Sequence, residues 1–252
     1  MTNPATHRWT ASDGVNLAFH ELGQGRSVVL VHGLFSNAQV NWIKFGAASA
    51  VAAKGFRVVM PDLRAHGASD KPHDRTAYPD GILGRDLEEL VTHLGLDDYD
   101  LGGFSLGART TVQAVGEGLA PRRAVLAGMG LQGLTGWLRR KDFFLDAIAR
   151  FGTSDRGDPH WLAIQFMKTM KVDLEAVRLL LPTFTDAHPA WLAAFTMPTL
   201  VLCGTEDHDN GSAHKLVEVL PNATLKQVPG THMSSVTQPE FGERLAEWLT
   251  AP

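Results

Sequence analysis

The feature that most constrains this chain is a series of short runs, most of them largely apolar, that alternate with turns and stretches of helical periodicity. Segments 27–31, 56–60, 123–127, 199–203 and 224–228, with one more running into Phe104, read as strands. A strand buried on both faces loses the in-and-out alternation of a half-exposed one, so continuous apolar runs of this length fit the interior of a sheet. Between them, Leu83, Leu87, Leu90, Val91 and Leu94 fall at helical spacing, and 42–53, 106–115 and 239–249 also read as helices. Strands alternating with helices require a mostly parallel sheet flanked by helices, with ligands binding beyond the carboxyl ends of the strands. The start differs. Segments 7–12 and 15–22 meet at Asp13-Gly14, a hairpin-turn dipeptide, which predicts an antiparallel opening pair. Pro61 is expected to end the strand at 56–60.

One block interrupts the alternation. Residues 131–195 carry no strand signal, only helical stretches around 137–151, 160–170 and 174–181, divided by Pro159, Pro182 and Pro189. This predicts a helical cap, residues 131–195, inserted into an α/β core made of 1–130 and 196–252. With 44% hydrophobic residues in 252, the chain can bury a core of single-domain size. Most of the cap aromatics are expected to fill its interior. Trp137, Phe144 and Trp161 are candidates to face a substrate above the strand ends, where pockets are largely apolar.

The strand ending at Phe104 leads into Gly103-Phe104-Ser105-Leu106-Gly107, a serine between two glycines where a strand gives way to a helix. A serine hydroxyl is a weak nucleophile unless a turn exposes it and a base takes its proton. Side chains at Gly103 and Gly107 would collide across so sharp a turn. The base and its orienting acid must come from other strand ends. Gly204-Thr205-Glu206-Asp207-His208-Asp209 follows one late strand and Pro229-Gly230-Thr231-His232 the next. Glu206, Asp207 and Asp209 are the candidate acids, and His208 is expected to face solvent.

Other classes are disfavoured. A net charge of −4 without a basic block lacks the footprint of nucleic-acid binding. No stretch has the uncharged length of a membrane span, and the first residues carry no charged-then-apolar leader pattern, so a cytoplasmic location is expected. The single cysteine, Cys203, sits in an apolar run and reads as inert core. Four adjacent residues at 206–209 cannot all turn to one ion, so no metal or other cofactor is expected.

These motifs resemble, over essentially the whole chain, the α/β-hydrolase superfamily: His32-Gly33, Asp62-Leu63-Arg64-Ala65-His66-Gly67-Ala68-Ser69, the Ser105 turn, Gly204-x-x-Asp207 and Gly230-x-His232. The resemblance implies Ser105 as nucleophile, Asp207 as orienting acid and His232 as base, in that chain order. It also implies an oxyanion hole from the backbone N–H groups of Leu34 and Leu106, with Phe35 as the alternative to Leu34. Arg64 and His66 are expected to stabilise a turn and His32 to anchor the loop bearing Leu34. Arg109, one helical turn past Ser105, either reaches the substrate or forms an ion pair beneath the turn. Arg139-Arg140-Lys141 reads as a solvated helix face. Phe35 and Arg109 join the cap aromatics as candidate substrate contacts.

The implied activity is hydrolysis of an ester or thioester of a small apolar acyl or aryl substrate through an acyl-enzyme. Serine argues against epoxide hydrolases and haloalkane dehalogenases, which place Asp at that turn. Carbon–carbon bond hydrolysis, pyruvate elimination, a perhydrolase or cofactor-free oxidoreductase activity, and a non-catalytic ligand receptor are the alternatives on the same fold. The Ser-Leu-Gly-x-Arg run is similar to that of the pyruvate-eliminating enzyme of menaquinone synthesis, but Phe104 and Ala108 depart from its Tyr and Gly. The partner is a small molecule; the oligomeric state is not legible.

Overall fold

The computed structural model describes residues 4–251. Residues 1–3 and 252, which the expected core ranges and the reading of the leader include, lie outside the described residues. The opening hairpin is β1 (Ala5–Thr10) and β2 (Asn16–Gly23), antiparallel, with Gly14 at φ 85° in its turn. β3 (Arg26–Val31) leads through a turn of π-helix at Gln39–Ile43 into α1 (Ala47–Ala52). The single helix expected over 42–53 is therefore two pieces, broken where Gly46 takes φ 87°. β4 (Phe56–Asp62) follows, then α2 (Ile82–His93), β5 (Tyr99–Phe104), α3 (Leu106–Gly116) and β6 (Arg123–Ala127).

Five helices come before the next strand: α4 (Leu131–Thr135), α5 (Trp137–Ala149), α6 (Trp161–Met170), α7 (Leu174–Leu180) and α8 (Pro189–Ala193). The chain closes with β7 (Thr199–Gly204), α9 (Ala213–Val219), β8 (Ala223–Val228), α10 (His232–Ser235) and α11 (Pro239–Thr250). The helices α9 and α10 carried no signal strong enough to be read from the sequence, because each is about two turns or less.

The eight strands form one sheet in the order β1-β2-β4-β3-β5-β6-β7-β8. β2 pairs antiparallel with both β1 and β4, and the other pairs are parallel. Pro61 does not end β4. It sits opposite Phe19 of β2, beyond Val59, where the pairing of β4 with β3 stops, so its missing N–H costs no bond on that side.

Each face of the sheet has its own core. One holds α2, α3 and the inserted helices, with Leu83, Leu87, Val112, Leu180 and Phe195 buried. The other holds α1 and α11, with Trp42, Val51, Phe241 and Leu245 buried. Val28 and Val29 are adjacent in β3 and feed opposite cores, which is why the strand is apolar throughout.

The junction of β5 and α3 is set by close backbone approach. A β-carbon on Gly103 would run into the backbone of Gly107, and one on Gly107 into the carbonyl of Val31 at the end of β3. Gly107→Ala is expected to cost about 2–3 kcal/mol, because the obstructing atoms are backbone and cannot swing aside. The melting temperature should then fall by roughly 5–10 °C. A thermal scan with no change in Tm would remove this approach as a constraint.

Candidate active site

Ser105 stands between β5 and α3 with φ 54° and ψ −109°, a conformation that costs a non-glycine residue about 1–3 kcal/mol. Its N–H donates to the Ala127 carbonyl (2.8 Å) and its carbonyl accepts from the Arg109 N–H (3.1 Å), so both ends of the turn are tied. The side chain is left half-buried at the carboxyl edge of the sheet.

The acid and base loops are bonded to each other. Thr205 N–H donates to Val228 (2.8 Å) and Glu206 N–H to Gly230 (3.0 Å), across the ends of β7 and β8. Thr231 caps α10, with its N–H donating to Ser234 Oγ (2.8 Å), and this puts His232 at the first position of the helix. His232 Nδ1 and Asp207 Oδ2 are 2.9 Å apart, and the carboxylate side chain is only 3% exposed. Glu206, His208 and Asp209 are exposed. Asp207 is thus the acid that meets His232, and the bond occupies Nδ1, leaving Nε2 for a hydroxyl. Ser105 and His232 line one cavity of about 260 Å³. The ring of His232 rests on Phe104, 4.8 Å between centroids.

The loop after β3 is held by two buried histidines. His32 Nδ1–H donates to the Gly33 carbonyl (2.8 Å) and Nε2 accepts from Leu63 N–H (2.9 Å). His66 Nδ1–H donates to the Arg64 carbonyl (2.9 Å) and Nε2 accepts from Phe35 N–H (3.1 Å). These roles require neutral rings. Burial pushes both pKa values down, and with His32 nearby that of His66 falls to about 3. Phe35, at φ 60°, therefore has its N–H committed. The N–H groups of Leu34 and Leu106 find no acceptor among the described residues, and both residues line a cavity with Ser105.

Asp62 ties the same loop from below, accepting from Ala38 N–H (2.9 Å), Ala68 N–H (2.7 Å) and His20 Nε2 (3.2 Å). Burial pushes its carboxyl up, but the His20 bond, His32 and the amides outweigh it and hold the group at about 2. Arg64 does more than stabilise a turn. Fully buried, it pairs with Asp86 through two nitrogens (3.0 and 2.8 Å) and with Asp13 (2.7 Å), joining the loop after β4 to α2 and the opening hairpin.

The structure separates the candidate substrate contacts. Arg109, Trp137 and Phe144 line a small cavity of about 30 Å³ with Ser105, Leu34 and Leu106. Among the described residues Arg109 has no ion-pair partner: Nη1 donates to the Thr185 carbonyl (2.6 Å), Nη2 donates to that of Gly133, and the guanidinium lies 5.3 Å from the Trp137 ring. Burial pushes its pKa down to about 10. Phe35 packs edge-on against Phe144 (5.6 Å) but lines a different cavity, about 370 Å³, with His66, Lys71 and Met170. Trp161 lines none of these cavities; half-buried at the start of α6, it has the Arg156 guanidinium over its ring.

Arg140 corrects the expectation of a solvated helix face. It donates to Asp209 O and Asn210 Oδ1 and lines the 30 Å³ cavity, a contact made only once α5 docks on the loop after β7. Phe166, Met170, Met233 and Val236, which line the 260 Å³ cavity, were also missed, since apolar helix positions look alike until packing chooses among them.

Cys203 is buried, and burial pushes its thiol up to about 12. No group of three His, Cys, Asp or Glu side chains among the described residues is arranged to hold a metal, and no helix among them is long and apolar enough to cross a membrane.

Residues 26–129 match the sequence profile described as alpha/beta hydrolase fold. The sheet order, the strained serine turn and that match agree. The chain has the α/β-hydrolase fold. It is 26% identical to a non-heme chloroperoxidase of Kitasatospora aureofaciens, over 95% of this chain and 98% of that one. Among solved structures, a bromoperoxidase from Bacillus anthracis matches with a TM-score of 0.74 at 19% identity, covering 98% of this chain and 100% of that one. The esterase RhEst1 from Rhodococcus sp. ECU1013 matches with a TM-score of 0.74 at 21% identity, covering 98% of each.

Because burial holds the folded-state pKa of His66 near 3, the unfolded chain binds a proton first as pH falls below about 6.5. Stability from this group is complete above that value and declines as pH falls toward 3, by about 2 kcal/mol at pH 5. Denaturant titrations at pH 7 and pH 5 should show wild type losing more stability than His66→Gln by about that amount. Equal losses would mean that His66 is not held neutral.

Proposed function

We propose that this α/β-hydrolase is a serine hydrolase that cleaves carboxylic esters, or thioesters, of apolar substrates through an acyl-enzyme. The observation that carries the reading is the Asp207–His232 bond at the edge of the cavity that Ser105 also lines. Ser105 Oγ attacks the substrate carbonyl carbon while His232 Nε2 takes its proton. Asp207 holds the ring in the tautomer with hydrogen on Nδ1 and stabilises the imidazolium.

The tetrahedral oxyanion accepts from the N–H groups of Leu34 and Leu106, and fixed donors of this kind are worth about 3–4 kcal/mol each in the transition state. The commitment of Phe35 N–H to His66 supports Leu34 over Phe35 as the second donor. The imidazolium then protonates the leaving oxygen or sulfur. In the second half, His232 deprotonates a water that attacks the acyl carbon, and then returns that proton to Ser105 Oγ as the ester bond to the serine breaks and the acid leaves. Residues 131–195 serve as the cap over this site, and 1–130 with 196–252 as the core.

Perhydrolysis is a second reading, supported by the chloroperoxidase relative matched over nearly the whole chain. There, hydrogen peroxide replaces water as the attacking group, and the acyl-enzyme releases a peroxycarboxylic acid.

A fluorophosphonate probe should label wild type at Ser105, Ser105→Ala not at all, and His232→Ala far more slowly. kcat/KM for p-nitrophenyl acetate should drop about 10²–10⁴-fold in His232→Ala. A folded wild-type protein that resists labelling and turns over no ester would overturn the reading. Peracid formation from acetate ester and hydrogen peroxide, absent in Ser105→Ala, tests the second one.

A further inference from the structure

Two cavities meet at Ser105, and they share only Ser105 and Leu34 in their linings. They differ in size and in which part of the machinery they reach. The larger, about 260 Å³, includes His232 and is walled by Phe45, Phe104, Phe166, Met170, Met233 and Val236. The smaller, about 30 Å³, includes Leu106 but not His232 and is closed by Met129, Trp137 and Phe144 with Arg109 and Arg140.

Both guanidiniums are fastened to oxygens of the chain, Arg109 to Gly133 and Thr185 and Arg140 to Asp209 and Asn210, so the small cavity cannot widen by swinging them away. The stacking of Trp137 on Phe144, 5.8 Å between centroids, fixes the remaining wall. A cavity of this volume has room for about one or two water-sized groups.

The tetrahedral carbon formed on Ser105 Oγ carries three other substituents, and each needs its own direction. The oxyanion must face the Leu34 and Leu106 N–H groups. The leaving oxygen must lie within hydrogen-bond reach of His232 Nε2, because that nitrogen returns the proton to it. The leaving group therefore extends into the cavity that contains His232. The acyl substituent takes the remaining space, which is the small cavity.

Resting on the serine-hydrolase reading above, we infer that the 260 Å³ cavity receives the alcohol portion of the ester and the 30 Å³ cavity the acyl portion. The substrates are short-acyl esters, of acetyl or propionyl size, of bulky apolar alcohols or phenols. Phe144 sets the acyl-length limit, and Thr169, at the exposed rim of the larger cavity, borders the alcohol.

The test uses two ester series on the purified full chain. With p-nitrophenyl esters from acetate to octanoate, kcat/KM should be greatest at two or three carbons and at least tenfold lower by hexanoate. With acetate esters from methyl to 2-naphthyl, it should rise with the size of the alcohol. Phe144→Ala should move the acyl optimum to longer chains while the order of the alcohol series is kept. Thr169→Trp should raise KM for 2-naphthyl acetate more than for methyl acetate.

Preference for long-acyl methyl esters, with Ser105 still labelled by a fluorophosphonate, would overturn this assignment and leave the hydrolase reading standing. A change in alcohol preference rather than acyl preference in Phe144→Ala would overturn it as well. Loss of both labelling and turnover in wild type would overturn the hydrolase reading and this assignment together.

Discussion

Everything at the site depends on how closely α3 approaches the ends of β3 and β5. With hydrogen atoms alone at Gly103 and Gly107, the helix backbone lies against the Val31 carbonyl and the turn can close. That contact fixes two positions at once. Ser105 is lifted above the sheet edge in a strained conformation, and the Leu106 N–H at the start of the helix has no acceptor among the described residues. The loop continuing from Val31 is brought beside them, with the Leu34 N–H likewise without an acceptor among those residues. Backbone strain of about 1–3 kcal/mol at Ser105 persists because β5, β6 and α3 hold the turn at both ends.

Around this contact the polar groups divide into those that hold loops and those left free. His32, His66 and Asp62 spend their polar atoms on backbone amides and carbonyls, or on one another's neighbours, and so fix the loops after β3 and β4. Neutral buried histidines suit this work because each offers one donor and one acceptor. In the Asp207–His232 pair the commitment is only partial: one ring nitrogen is taken and the other remains for chemistry. Arg109 and Arg140 work as fasteners in the same way, tying α3 to the Gly133 and Thr185 carbonyls and α5 to the loop after β7, and thereby setting the size of the space beside Ser105.

Some of this was open to reading in the linear chain because it is local. Apolar runs such as 27–31 and 199–203 give strands buried throughout or nearly so, and all six predicted strands lie in the sheet, with β8, which carries Lys226 and Gln227, the half-exposed one. The glycine pair around Ser105 is legible for the same reason, since the clash it avoids lies within a few residues. The structure departs from the local signal where a distant partner decides. Pro61 stays in β4 because β3 stops pairing two residues earlier, and Arg140 turns inward because α5 docks on Asn210. Nothing within either segment carries that information.

The sequence by itself determined the order of the elements, the serine turn and the residue types available at the strand ends, because these follow from periodicity and from sterics between near neighbours. The spacing from Gly204 already pointed to Asp207, and the structure brings it to His232; tertiary structure alone decided that Phe35 N–H is spent on His66, and that Phe144 and Trp137 close a small cavity while Met170 and Met233 line a large one. Those outcomes depend on the direction in which each side chain leaves its loop or helix once distant segments pack together. The packing that sets those directions joins residues as far apart as Phe35 and Phe144.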